Sequence, residues 1–338
     1  MNNFWKEPNK KYIALAPMED VTDTVFREII LNISDTNHLN VLFAEFTSVD
    51  GLCHPIGKDK VSHRLFVSET ERKVLKQNNV KIVAQIWGSD PEKFKRAAEL
   101  ICSEYEFDGI DINMGCPVKK IVKQASCSEL IKFPELSKEI IEATKEGSNI
   151  PVSVKTRTGI KHHETESWLE NLLQAKPECI TLHCRTQKMM SDYPAEWEEI
   201  AKAVKVRNAG NYETKILGNG DIVSLQECWD KIDEYEIDGV MVGRGIFKNP
   251  WLFNEGHIFR TPEEKLELLW KHVQLFSNTW KTEKSFAIMR RFLKIYTYDF
   301  YGASEIRAKM METMKPDDVY KILSELKLYD MSNILNSN

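Results

Sequence analysis

A chain of 338 residues exceeds one average domain, and its composition, 42% hydrophobic and 29% charged, is that of a globular protein with apolar mass for a large core. No run of about 18 apolar residues is present to cross a membrane, the opening MNNFWKEPNKKY lacks the apolar segment of a secretory signal, and seven scattered cysteines without a CxxC pair argue against a disulfide framework or zinc site and for a reducing cytoplasm. The net charge of −5, from 46 basic and 51 acidic residues, disfavours a nucleic-acid partner for the chain as a whole, although binding depends on a local face.

Short apolar runs, often β-branched, recur with amphipathic patterns between them. The first, 13–16, ends at Pro17-Met18, and the second, 41–44, ends at Glu45. Runs at 82–85, 109–113, 152–155, 180–183, 215–218 and 240–243 follow. Helices are predicted near 22–34, over 91–104 behind the cap Ser89-Asp90, from Pro134 to about Glu146, and near 165–175, 195–206 and 224–236. Eight strands alternating with helices predict an α/β fold, a closed (β/α)8 TIM barrel, with a doubly wound open sheet as the alternative. Residues 46–79 read as a long irregular segment.

After Arg244-Gly245 the strand signal stops, and Thr261-Pro262-Glu263-Glu264 opens a new helix. Leu266, Leu269, Trp270, Val273 and Phe276, then Phe286, Met289, Leu293 and Tyr296, keep helical spacing in a pattern that runs to about Leu328. The chain therefore divides into a barrel over 1–255 and a small helical bundle over 256–338.

A barrel of this type carries its active site at the C-terminal ends of its strands. There stand Pro17, Met18, Glu45, Gln85, Asn113 with Cys116, Lys155 with Arg157, His183 with Arg185, Asn219-Gly220-Asp221 and Gly243-Arg244-Gly245. The stretch Asp111–Pro117 sets an amide and a thiol on a loop constrained by Gly115 and Pro117, where functional groups concentrate. The glycine clusters after strands seven and eight suit a phosphate, with Arg244 adding charge-assisted donors; each alone reads equally well as a tight turn. Lys155 ends a strand that is otherwise buried and needs an anionic partner, either a reduced flavin or Glu45. Gln85 and His183, taken singly, also read as satisfied core groups. No metal is expected, because His162-His163-Glu164 matches no zinc spacing. Cys127, Cys179 and Cys184 read as small core residues.

Seven segments together carry a family resemblance: APMEDVTDTVFR at 16–27, AQIWG at 84–88, DGIDINMGCPVKK at 108–120, VSVKTRTG at 152–159, ITLHCRT at 180–186, LGNGDI at 217–222 and DGVMVGRG at 238–245. With MRRFLKIYTYDFYGASEIRAKM at 289–310, the chain resembles the tRNA-dihydrouridine synthases, flavin-dependent enzymes that reduce uridines of tRNA. The resemblance implies FMN bound by Pro17, Met18, Gln85, Lys155, His183, Asn219, Gly220, Asp221, Gly243 and Arg244. It implies Cys116 as general acid, a thiol whose ordinary pKa of about 8.5 leaves it protonated at neutral pH. Asn113, Arg157 and Arg185 would hold the uracil, and Arg290, Arg291, Lys294 and Arg307 the tRNA. Between 281 and 309 seven basic side chains stand against three acidic ones, the local face that the net charge conceals. The resemblance also implies NADPH as electron donor, a transient one because no dinucleotide fingerprint is present to bind it stably. A D-loop uridine, a monomer and a cytoplasmic location are expected. One departure is the patch Gln124-Ala125-Ser126-Cys127-Ser128, where family members carry glycines. The competing readings are an FMN barrel acting on a small molecule, of the dihydroorotate dehydrogenase or ene-reductase type, and an RNA-binding module without chemistry.

Overall fold

The computed structural model describes residues 3–256 and 260–326. Its strands are β1 (Tyr12–Leu15), β2 (Val41–Phe43), β3 (Thr47–Ser48), β4 (Lys81–Trp87), β5 (Gly109–Met114), β6 (Val152–Arg157), β7 (Cys179–His183), β8 (Lys215–Asn219) and β9 (Gly239–Val242). Every pairing is parallel. β9 returns to β1 and β2 pairs with both β1 and β4, so eight strands close a barrel. β3 continues β2 after a break and pairs with Ile86 and Trp87 of β4. The (β/α)8 barrel read from the sequence is the fold, and the open sheet is excluded by closure.

Strand alternation decides what the barrel encloses. Odd-numbered residues on β4–β9 and β2, and even-numbered ones on β1, face inward. At the bottom they are apolar: Tyr12, Ala14, Val41, Phe43, Val83, Cys179, Leu217 and Met241 form one cluster, closed from below by Phe4 and Trp5. One or two steps higher the same parity delivers Gln85, Asp111, Asn113, Ser153, Lys155, Thr181, His183 and Asn219. Register sets them side by side, pairing Gln85 with Asp111, Asn113 with Lys155, Arg157 with His183 and His183 with Asn219. The opposite parity (Leu15, Leu42, Ile82, Ile110, Ile112, Val154, Ile180) faces the helices in the main core.

The covering helices are α1 (Thr24–Ile33), α2 (Val49–Cys53), α3 (Gly57–Val61), α4 (Glu69–Asn78), α5 (Pro91–Glu104), α6 (Lys119–Val122), α7 (Pro134–Gly147), α8 (Thr165–Gln174), α9 (Glu198–Ala209) and α10 (Leu225–Tyr235). Asp90 caps α5 by accepting from the Glu92 and Lys93 N–H groups, with Pro91 in the first turn, as its sequence predicts.

Residues 46–79 correct the sequence reading, because they hold β3, α2, α3 and the ten-residue α4. The sequence of α4, ETERKVLKQN, has no apolar stripe, and only Glu71 and Leu75 are buried. It docks by a charged pair instead. Glu71 and Arg27 are both fully buried, with Arg27 Nε 2.7 Å from Oε1 and Nη2 2.9 Å from Oε2. Thr24 Oγ1 adds a donor to Oε2 at 2.5 Å. Glu71→Ala leaves the guanidinium buried without its counter-charge, so unfolding in urea is expected to show a loss of about 3–5 kcal/mol; a change below about 1 kcal/mol would refute this docking role.

From Pro262 every described element is helical: α11 (Pro262–Trp280), α12 (Arg290–Tyr296), α13 (Ala303–Met310) and α14 (Pro316–Glu325). Thr261 and Glu264 form the capping box that the sequence announces. Leu266, Leu269, Trp270, Val273, Phe276, Met289, Leu293 and Tyr296 are buried and Phe286 partly so; the predicted end at Leu328 lies outside the described residues. The helices dock on α1, where Phe26 meets His272 and Phe292 at ring distances of 6.0 and 5.2 Å. One apolar core runs through both parts of the chain. Among the described residues no helix is long and apolar enough to cross a membrane.

Candidate active site

The polar interior of the barrel begins at Asp111, which is fully buried. Its Oδ2 accepts from Gln85 Nε2 at 2.7 Å and its Oδ1 from Ser153 Oγ at 2.6 Å. Burial pushes this carboxyl up to about 6, against those two hydrogen bonds. An ionised carboxylate only accepts, so Gln85 must offer it the amide nitrogen and keep Oε1 for Asn113, whose Nδ2 donates at 3.0 Å. Asn113 Oδ1 then accepts the N–H groups of Gly115 and Cys116, each at 3.0 Å. The buried charge thus fixes two amide orientations and, through them, the loop that carries the thiol. Asp111 and Ser153 escape the sequence reading because it looks at strand ends; the period-2 pattern of DGIDINM was the available signal.

Lys155 Nζ donates to Asn219 Oδ1 at 3.0 Å, and Asn219 Nδ2 to the Met241 carbonyl at 2.7 Å. Glu45, the alternative partner, lies elsewhere. Its Oε1 accepts the Asp20 N–H at 2.6 Å, and its neighbouring cations are Arg64 and Lys284 at 3.6 and 3.7 Å. No carboxylate pairs with Lys155 among the described residues. Burial, with the Arg157 charge second, lowers the ammonium to about 8. It keeps donors to spare and lacks an anion.

Arg185 assembles the next group. Its Nη2 donates to Asp221 Oδ1 at 2.6 Å, its Nε to the Tyr193 carbonyl at 2.6 Å, and its Nη1 meets His183 Nε2 at 3.0 Å. A guanidinium only donates, so Nε2 is the acceptor and the neutral ring carries its proton on Nδ1. Burial holds His183 well below the ordinary imidazole value. Arg185 is therefore built into the scaffold. Arg157 is similarly engaged, with Nε on the Gly115 carbonyl at 2.8 Å and Nη1 on the Thr186 and Met190 carbonyls at 2.9 and 2.8 Å. Only its Nη2 has no protein partner among the described residues.

Pro17, Met18, Lys155, His183, Arg185, Asn219, Gly220, Asp221, Gly243 and Arg244 line one cleft of about 610 Å³ at the barrel mouth, a size within the range of roughly 300–1,000 Å³ usual for cofactor sites. Gly220 has φ 140°, and a Cβ there would lie 2.6 Å from that of Ala195. A Cβ at Gly245 would lie 2.0 Å from the Ile222 carbonyl oxygen. At Gly243, by contrast, a Cβ would make only ordinary contacts, 3.9 Å from Ala16 Cβ and 4.0 Å from Asn219 Nδ2. The Arg244 side chain is 59% exposed, 3.6 Å from Asp221, whose charge Arg185 already balances. This is a glycine-lined floor beside an exposed guanidinium, suited to a phosphate.

Gln85, Asn113 and Cys116 lie outside the lining of that cleft and join it through the pairing of Asn113 with Lys155. Cys116 is partly exposed. Its carbonyl accepts Ser128 Oγ at 2.8 Å and the Ser128 N–H at 3.3 Å. A hydrogen bond from the Cys127 thiol lowers Cys116 to about 7, against burial. That lies below the ordinary thiol value expected from the sequence. The patch without glycines keeps left-handed backbone all the same, with φ 51° at Ala125 and 55° at Cys127.

The basic face of the helical part is smaller than its sequence suggests. Arg290 Nε donates to the Thr313 carbonyl at 3.1 Å, and Arg307 Nη1 reaches the Thr297 carbonyl at 3.4 Å. Arg291 Nη1 crosses to the barrel, to the Asp20 carbonyl at 2.8 Å. Lys284 is clamped by Asp23 at 3.0 Å and the Trp280 ring at 3.8 Å. Lys281, Lys294 and Lys309 remain exposed. The sequence reading passes over a second set: Lys119, Lys120 and Lys123, exposed directly after the Cys116 loop. Their signal was the PVKKIVK spacing.

The sequence model of the family described as "Dihydrouridine synthase (Dus)" matches residues 14–332. The chain is 40% identical over 327 residues to a "Probable tRNA-dihydrouridine synthase" of Staphylococcus aureus (strain COL), covering 96% of each. It is 39% identical over 327 residues to a "Probable tRNA-dihydrouridine synthase 2" of Bacillus subtilis (strain 168), covering 96% of this chain and 97% of the relative. Among solved structures, histamine dehydrogenase from Rhizobium sp. 4-9 superposes with a TM-score of 0.50 at 11% identity, covering 78% of this chain and 48% of that one; at that identity it speaks for the barrel alone.

Proposed function

The chain belongs to the dihydrouridine synthase family, and from that premise we propose that it reduces the C5=C6 bond of a tRNA uridine, a D-loop uridine, with FMN at the barrel mouth and NADPH as electron donor. The observation that carries the reading is the unpaired Lys155 ammonium beside a glycine-lined anion floor in one cleft. The residues present fit FMN: Gly220, Asp221, Gly243 and Arg244 would hold its phosphate, and Pro17, Met18, Gln85, Lys155, Asn219 and the His183 Nδ1–H its ring. Bound there, FMN supplies the hydride that adds to C6 of the uracil.

The chain's own residues supply the rest. Hydride at C6 drives charge onto the C4 carbonyl, and a proton at C5 completes the reduction. The Cys116 thiol gives that proton. Asn113 and the free Arg157 Nη2 orient the base and stabilise the developing oxyanion, while Arg185 holds the His183 ring. A base must leave its stack to reach this depth, so a splayed loop nucleotide is the substrate.

Lys119, Lys120 and Lys123 flank the reacting base, and Lys294, with the exposed parts of Arg290, Arg291 and Arg307, receives the tRNA backbone. Lys119→Glu with Lys120→Glu is expected to weaken tRNA binding by about tenfold or more near 100 mM salt and to flatten the slope of log K against log salt by about two. Unchanged slope in a filter-binding titration would remove this face from the interface. The enzyme acts as a cytoplasmic monomer.

The test of the function is direct. Purified FMN-loaded protein, NADPH and tRNA lacking dihydrouridine are incubated, and the product is mapped by nucleotide-resolved mass spectrometry. Dihydrouridine at one D-loop position is expected. Absence of product, with the flavin bound and reducible by NADPH, would favour a reductase of small molecules.

A further inference from the structure

Cys127 is fully buried, has φ 55°, and belongs with Phe46 and Ile121 to a small apolar cluster against which Cys116 packs. A left-handed conformation is unusual for a residue with a Cβ, and a cysteine there is not needed for the turn, which a glycine would make with less strain. The backbone is locked in this arrangement. Both the N–H and the Oγ of Ser128 bind the Cys116 carbonyl, at 3.3 and 2.8 Å, and Gln187 Nε2 holds Ser128 Oγ at 3.0 Å. The two cysteines meet at that cluster, one partly exposed and one sealed, and both are reduced.

From this geometry we infer that Cys116 and Cys127 are a modification site, a dithiol that a hydroperoxide converts reversibly to a disulfide. The chemistry balances in two steps. The Cys116 thiolate attacks the O–O bond of the peroxide, an S–O bond forms, and hydroxide takes up a proton and leaves as water. The Cys127 sulfur then attacks the Cys116 sulfur, gives up its proton, and displaces the oxygen as a second water. Two thiols lose two electrons and one peroxide gains them. The exposed sulfur is the one met by oxidant, since the neighbouring S–H, the Val118 N–H and the Arg157 charge favour its thiolate while burial and Glu19 oppose it. The sealed sulfur is the one placed to resolve the sulfenic acid before a second oxidation. A dithiol reductant reverses the bond by exchange.

The inference needs the pair, and touches the proposed function only through what oxidation does to turnover. The whole FMN-loaded protein is treated with hydrogen peroxide, and intact and peptide masses are read with and without dithiothreitol. Loss of two hydrogens, with a peptide linking Cys116 to Cys127 that dithiothreitol separates, is expected. Oxygen added to Cys116 while Cys127 stays alkylatable on unfolding, or no oxidation of either, would overturn it. In Cys127→Gly, and in Cys127→Ser should the glycine variant fold poorly, Cys116 is expected to gain two or three oxygens irreversibly. Recovery of the free thiol by dithiothreitol in those variants would equally overturn it. A disulfide that forms without loss of uridine reduction would leave the pair standing and remove Cys116 from the role of acid.

Discussion

Replacing Cys116 by alanine is expected to leave FMN bound and to slow uridine reduction by about 10²–10⁴. The cleft proposed for the flavin is built from β1 and β6–β9, whereas Cys116 stands on the loop after β5 and is not among the residues that line it. The pH dependence separates loss of an acid from loss of shape. A general acid must hold its proton, and Cys116 is lowered to about 7 by the Cys127 hydrogen bond. The wild-type single-turnover rate is therefore expected to be highest below pH 7 and to fall up to about tenfold per unit above it, while the alanine variant loses that limb. Equal rates for the two proteins at pH 6.5 would end the assignment.

The second large effect has two opposite signs. In Lys155→Met, FMN affinity is expected to fall by about 10²–10³, the cost of removing one partner of a desolvated charge pair. The same change is expected to stabilise the flavin-free protein by about 2–3 kcal/mol at neutral pH. Burial lowers Lys155 from the ordinary lysine value to about 8, so between about pH 8 and 10.5 the unfolded chain binds the extra proton and stability rises with pH. The penalty is thus fully present below pH 8 and vanishes above about 10.5. Flavin titration and urea unfolding of the apo form at two pH values measure both arms. A variant that keeps its flavin would put the anion somewhere other than beside Lys155.

How much of this was legible in the sequence follows from the physics of each element. Strand ends were readable because a parallel barrel fixes parity, and parity sends Gln85, Asn113, Lys155, His183 and Asn219 inward. The glycine turns were readable because a Cβ at Gly220 or Gly245 has nowhere to go. The helix α4 was not, since its burial rests on a carboxylate and a guanidinium, which hydropathy scores as surface. Phe4 and Trp5, in an opening read only for its lack of a secretory signal, plug the barrel floor, a role set by three-dimensional closure. Charge counting on 281–309 overstated the free cations, because counting cannot tell Lys284 or Arg290 in use from Lys294 in water. The proton state of Cys116 depends on a thiol eleven residues away, brought near by a turn that its composition disguises.

The attachment of the helices to the barrel has a geometric consequence. Trp280 Nε1 and Lys284 both bind Asp23 Oδ2, at 2.8 and 3.0 Å, and Arg291 grips the Asp20 carbonyl at 2.8 Å. All three fasten to the few residues that follow Met18, so the helical part and the cleft at the barrel mouth share one bracket. These three contacts tie the helical part to the strand end that carries Met18. On the proposed function, a folded RNA set down there would be measured as by a caliper, and the nucleotide brought to Cys116 would be chosen by its distance along the molecule, whatever its neighbours in sequence.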